Sequence, residues 1–221
     1  MAKVIIGGYV VGMVQTNVYY LHLEGSAETV LVDPADHGGA LVDALESQGL
    51  KVAGILLTHG HFDHIGGVKE VAERTGADVY ACEQEEKLLI DPQRNLSAGY
   101  GRQTAIRPDV LLRDKERVTL AGITFQCIST PGHTEGSCCY YIDPAGQGGT
   151  KASGDEAPIL LAGDTLFEES VGRTDFPTGS MSQLVRSVRE KLFILPENTA
   201  VYPGHGGTTT IGHEKHYNSM V

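Results

Sequence analysis

Thr58-His59-Gly60-His61-Phe62-Asp63-His64 follows directly on the apolar run Gly54-Ile55-Leu56-Leu57. Imidazoles and carboxylates at this density are a poor way to build a core, because each buried polar group needs a partner. They are a good way to hold a dication. Residues 55–58 read as a buried strand, since the side chains are branched or bulky and Gly54 and Gly60 bound them. In an extended chain His59 and His61 point to one side. Asp63 and His64 then sit in a turn that leads into a helix starting near Gly66-Gly67. The competing reading, a solvated and idle His-rich turn, loses ground because other strand ends supply further ligands.

The strand Phe125-Gln126-Cys127-Ile128 runs into Pro131-Gly132-His133-Thr134. Ile159-Leu160-Leu161 runs into Ala162-Gly163-Asp164-Thr165, and Thr199-Ala200-Val201-Tyr202 runs into Pro203-Gly204-His205-Gly206. Each time an apolar strand ends, a glycine permits a tight turn and a His or Asp follows. Loops at strand ends on a rigid scaffold are where sites are built. Taken singly, His133 reads as a capping residue, Asp164 as a turn former and His205 as a loop histidine. Repetition of one pattern favours a shared site.

These motifs resemble the metallo-β-lactamase fold superfamily, and within it the glyoxalase II-like (hydroxyacylglutathione hydrolase type) enzymes of the short, single-domain bacterial kind. The matching positions are Asp33, the cluster from His59 to His64, His133, Asp164 and His205. The stretches Gly163-Asp164-Thr165-Leu166-Phe167, Val171-Gly172-Arg173-Thr174-Asp175-Phe176-Pro177 and Pro203-Gly204-His205-Gly206-Gly207-Thr208-Thr209-Thr210 also match. The resemblance implies a four-layer αββα sandwich over residues 1–221. Strand and helix order alone gives only an α/β protein.

It also implies a ligand set. His59, His61 and His133 would hold one metal, Asp63, His64 and His205 a second, and Asp164 would bridge them. Asp63 and Asp164 are thus the expected catalytic carboxylates. Zinc is the first expectation, with iron or manganese compatible with the same donors. A hydroxide bridging two divalent ions would attack a polarised carbonyl. Asp33 is either a turn residue before Pro34 or a carboxylate that orients a histidine ligand, and Thr58 is expected to support it. Arg173 either pairs with Asp175 or meets an anionic substrate group, and the pairing is preferred.

The implied reaction is hydrolysis of an acyl-thioester such as S-D-lactoylglutathione. A thiol leaves with a pKa of ~8.5, so it needs little protonation, and no general acid stands out in the sequence. One departure is that the chain stops too soon after His205 to hold the helical domain with which longer relatives grip glutathione. The rivals are an iron-dependent persulfide dioxygenase-like enzyme, which shares a Gly-Arg-Thr-Asp-Phe stretch, and a β-lactamase, which commonly has Cys where Asp164 stands. An RNA-processing nuclease and a non-catalytic metal-binding module complete the set.

The 221 residues suit one domain with an ample core. Hydrophobic content of 41% and charged content of 20% are ordinary for a globular protein. A net charge of -11 disfavours nucleic acid as a partner, because phosphates need a basic surface. A small-molecule substrate is expected instead. Cys82, Cys127, Cys138 and Cys139 contain no C-x-x-C pair and read as reduced, buried thiols, with Cys138 and Cys139 facing opposite sides of a strand. The apolar stretch from Val4 to Val14 lacks a small-x-small cleavage site, so it reads as a first strand rather than a signal core. No stretch is apolar and long enough for a bilayer, and a cytoplasmic location is expected.

Helices are expected over residues 39–49, 68–75, 83–90 and 180–195. The last has a capping-box pair, Ser180 and Gln183, and an apolar face of Leu184, Val188 and Leu192. Strands are expected near 3–14, 17–23, 28–33, 54–58, 77–81, 117–120, 123–129, 138–143, 158–162 and 199–203. Residues 91–108 read as a mobile loop near the site, and residues 144–157 as a hairpin insertion.

Overall fold

A computed structural model describes residues 2–144 and 157–221. The expected insertion falls almost wholly outside the described residues. The first sheet has the order β1 (Val4–Val11), β2 (Thr16–Leu23), β3 (Glu28–Val32), β4 (Lys51–Leu56), β5 (Val79–Cys82) and β6 (Val110–Leu112). Its first three strands are antiparallel and the rest parallel. The second sheet uses β7 (Arg117–Leu120), β8 (Ile123–Ser129), β9 (Cys138–Ile142) and β10 (Ile159–Gly163). After the small hairpin of β11 (Leu166–Phe167) and β12 (Ser170–Val171), it is completed by β13 (Ala200–Pro203) and β14 (Thr209–Thr210). Its order is β14-β13-β10-β9-β8-β7.

Strand alternation explains the layers. Val30, Val32 and Leu56 from the first sheet meet Phe125, Cys138, Tyr140 and Leu161 from the second in a central core. The intervening residues face outward. Leu31, Ile55 and Leu57 pack under α1 (Gly38–Ser47) and α3 (Val68–Thr75). Cys139, Leu160 and Ala162 pack under the helical segment from Met181 to Leu192 and α6 (Ile211–Tyr217). Strands buried on both faces read as continuous apolar runs. The result is the αββα sandwich, and all four cysteines are free and buried, with Cys138 and Cys139 in different layers.

Several local expectations need correction. Asp63 and His64 lie in a short helix, α2 (Phe62–Ile65), rather than a turn. Strand β4 ends at Leu56, before Leu57 and Thr58. Residues 83–90 split into a 3-10 turn, Glu83–Glu85, and α4 (Glu86–Leu89). The expected helix at 180–195 is α5 (Met181–Ser187) followed by a π-helical turn, Val188–Leu192. Ser180 caps it through its backbone only; its hydroxyl contacts Ser182, and no capping box forms. Leu184, Val188 and Leu192 do form the buried face. Residues 91–108 lie beside the site, as expected, but have specific anchors. Asn95 is fully buried, its carbonyl accepts Phe62 N–H at 2.9 Å, and its amide donates to Thr104 O at 2.8 Å.

The two sheets are joined at one end by hydrogen bonds. Tyr140 Oη donates to Leu57 O at 2.9 Å, and Cys138 N to Thr58 O at 2.9 Å. Asn17 N donates to Gly204 O at 2.7 Å, and Tyr19 Oη to Pro203 O at 2.9 Å. These bonds bring the loops after β3, β4, β8, β10 and β13 to one edge of the sandwich.

Candidate metal centre

Of three overlapping groups of candidate donors among the described residues, one being Asp33, His59 and His64, two face the gap at this edge. His59, His61 and His133 form one, and Asp63, His64 and His205 the other; within each, the donor atoms lie within 4.8 Å of one another. In the first group His61 Nδ1 is 2.8 Å from His133 Nε2, which is 3.2 Å from His59 Nε2. In the second, Asp63 Oδ2 is 3.3 Å from His205 Nε2 and 3.9 Å from His64 Nε2. Asp164 reaches both. Its Oδ2 is 3.6 Å from His133 Nε2 and 3.6 Å from His205 Nε2, and its Oδ1 is 3.3 Å from His64 Nε2.

The backbone aims Asp164 into this gap. The β10–β13 register shifts between Leu161 and Gly163, a bulge that redirects the side chain after it. Gly163 has φ of +49°, and a Cβ there would strike the Thr58 side chain. Gly204 lets β13 pass close by, since its Cβ would meet Asp164 Oδ1 and His64.

Hydrogen bonds on the far side of the His59, His64 and His133 rings fix which nitrogen points inward. His64 Nδ1 lies 3.0 Å from Asp33 Oδ2, so the ring donates there and leaves Nε2 free. Thr58 Oγ1 donates to Asp33 Oδ2 at 2.6 Å and lies 3.2 Å from His59 Nδ1, from which it accepts. Thr58 N also donates to Asp33 Oδ1 at 2.8 Å. Asp33 is therefore the orienting carboxylate rather than a simple turn residue, and Thr58 supports it. His133 Nδ1 donates to Arg173 O at 2.7 Å.

Electrostatics separate the groups. Burial and the neighbouring rings hold His59 well below the ordinary imidazole range, and burial with His133 close by lowers His61 to about 3. Burial lowers His133 too. These rings are neutral at pH 7, the form that ligates metal. Burial opposes charge on His64, but Asp164 and Asp63 outweigh it and hold that ring well above the ordinary value. Burial would raise Asp164, yet His64, His133 and His205 hold it far down.

The residues fit metal ions. Of the atoms facing the gap, His64 Nε2 and Asp164 Oδ1 are buried without a hydrogen-bond partner. His59 Nε2 and His133 Nε2 lie 3.2 Å apart with both Nδ1 protons engaged by Thr58 Oγ1 and Arg173 O, so two lone pairs face each other, and a cation resolves that mismatch. The His and Asp side chains are thus positioned for a dimetal site, with donors that suit zinc, iron and manganese alike.

The sequence profile of the metallo-beta-lactamase superfamily matches residues 11–205. The chain belongs to that superfamily. Among its relatives, the hydroxyacylglutathione hydrolase GloC of Haemophilus influenzae is 31% identical, covering 86% of each chain. Three solved structures share the fold across 97% of this chain. The BLEG-1 B3 metallo-beta-lactamase has a TM-score of 0.86 at 36% identity, covering 98% of its own chain. TTHA1623 in a di-iron-bound form has 0.79 at 31% identity, covering all 100% of its chain. ETHE1 from Myxococcus xanthus has 0.77 at 28% identity, covering 83% of its chain.

Within this metallo-beta-lactamase frame, the pairing preferred for Arg173 in the sequence does form, and other groups take roles that the sequence did not announce. The Arg173 guanidinium pairs with Asp175 through two 2.7 Å bonds and lies 3.9 Å from the Phe176 ring centre. Its contribution to the site is its carbonyl, which no side-chain motif announces. Phe62 and Tyr100 stack at 3.9 Å and, with Met13, Val14 and Arg102, line a cavity of about 110 Å³ that opens against Asp63. Glu85 carries no sign of burial in the sequence, because it sits in the charged run Glu83-Gln84-Glu85-Glu86-Lys87, which reads as a solvated surface. No helix among the described residues is long and apolar enough to cross a membrane.

Proposed function

We propose that this superfamily member is a two-metal hydrolase of acyl-thioesters. The observation that carries the reading is the position of Asp164, whose two oxygens face both donor groups. His59, His61 and His133 would hold one ion, Asp63, His64 and His205 the other, with Asp164 serving both. Bound dications would lower the pKa of water to near neutrality and polarise a carbonyl oxygen. Asp63, which lines the cavity, would take the proton of the attacking water. His133 keeps its Nδ1 proton on Arg173 O throughout, so its inward nitrogen stays a lone pair. A thiolate leaving group would need little protonation.

The apolar wall of Met13, Val14, Phe62 and Tyr100 would seat the arm of a small substrate beside Asp63. The net charge of -11 argues for such a substrate over nucleic acid. Likeness to GloC supports the thioester; likeness to ETHE1 and to a B3 metallo-beta-lactamase supplies the competing substrates. The test is one panel run on zinc-, iron- and manganese-loaded protein. It measures thiol release from S-D-lactoylglutathione and simpler thioesters, oxygen uptake with glutathione persulfide, and opening of a chromogenic β-lactam. Thioester turnover that disappears in Asp164→Ala is expected. Oxygen uptake or β-lactam opening exceeding it would replace this reading.

A further inference from the structure

We propose that Glu85 is a positioning residue whose carboxyl group clamps the loop carrying His59 and His61 to the loop carrying His133, and so sets the spacing of the three imidazoles. The inference rests on the two-metal reading of the site. Glu85 is 1% exposed. Its Oε1 accepts from Gly60 N at 2.8 Å, the amide between two of the imidazoles. Its Oε2 accepts from Gly136 N at 3.0 Å. Thr134 Oγ1, beside His133, lies 2.9 Å from Oε1 and 3.0 Å from Oε2. One side chain thus satisfies donors from the ends of β4 and β8, strands of different sheets.

The fit leaves little slack. A Cβ on Gly136 would collide with the backbone of Gln84 and Glu85, and one on Gly60 would press on Leu88 and Leu89. Thr134 is held in turn by Ser137, whose Oγ is 2.6 Å from Thr134 Oγ1 and accepts Thr134 N at 2.9 Å. Two inward-facing backbone N–H groups would otherwise be orphaned. Glutamate spans them with two acceptors, aspartate is a methylene too short, and glutamine must turn an amide donor toward one of them. The other donor group is oriented from elsewhere, since His64 leans on Asp33. The effect of Glu85 is therefore confined to one metal.

The test measures Zn(II) affinity of the full chain by competition with a chromophoric chelator. In a His205→Ala background, which leaves the three-imidazole group intact, Glu85→Ala and Glu85→Asp should weaken the remaining zinc by roughly 10–100-fold. In a His59→Ala background, which leaves the second group, the same changes should alter affinity less than about twofold. Glu85→Gln should fall between wild type and Glu85→Ala in the first background, and it also serves if the alanine protein does not fold. Equal weakening in both backgrounds, or none in the first, overturns the proposal. Failure of the unmutated chain to bind two equivalents would instead overturn the two-metal reading itself.

Discussion

Asp33 is the residue on which both halves of the site converge. It has φ of +49°, a conformation that Asp and Asn tolerate better than most residues, and its side chain is 3% exposed. It accepts from Thr58 N, Thr58 Oγ1 and His64 Nδ1, and through Thr58 it also fixes His59. Asparagine keeps the backbone and the volume but replaces one acceptor by a donor. Asp33→Asn should therefore weaken zinc in both groups by about 10–100-fold, unlike Glu85 variants, which act on one. Isothermal titration with two resolved binding steps would distinguish these, and a change in only one step would contradict the shared role. The motif was visible in the sequence as Val32-Asp33-Pro34, but its choice between turn and orienting group was not, because both readings use the same residue at the same strand end.

At the scale of elements, the close passage of β13 against the end of β10 brings His205 to Asp164. Gly204 permits it, with its N–H on Gly163 O at 2.8 Å and no room for a side chain. Gly204→Ala should displace Asp164 and His64, weakening both sites and the second, which also holds His64, more, while leaving the fold intact. Metal content after dialysis falling from two equivalents toward one checks this, and two retained equivalents would exclude it. Regular elements were legible wherever packing is periodic: β1–β2, α1, α3 and the buried face of α5 follow their apolar patterns. The short pieces were not. Strands β11, β12 and β14 and helix α6 are too short for a periodic pattern, and distant polar contacts together with the buried residues Leu166, Val171 and Ile211 hold them. Glu214, on α6, accepts from Thr209 Oγ1 at 2.6 Å and from Glu169 N at 2.9 Å, and a glutamate in a seven-residue segment carries no sign of such partners in the sequence.

For the whole molecule, metal and fold are separable. Three apolar clusters build the sandwich, and none of the donor residues belongs to them. Chelation should leave the far-ultraviolet dichroism unchanged while lowering the melting temperature, because an ion bound only to the native state stabilises it by mass action, about 2.7 kcal/mol at a hundredfold excess over Kd. Collapse of the secondary structure on chelation would show that the centre holds the fold. What the sequence determined by itself is an α/β protein and the donor inventory; the αββα layering came only with the family resemblance. Two-faced burial writes continuous apolar strands, and metal ligation admits few residue types, which here follow strand ends. Only the tertiary structure decided the roles of Glu85, the Arg173 carbonyl and the Phe62–Tyr100 wall. Each depends on which distant backbone or ring a side chain meets after burial, and nothing local in the chain encodes that meeting.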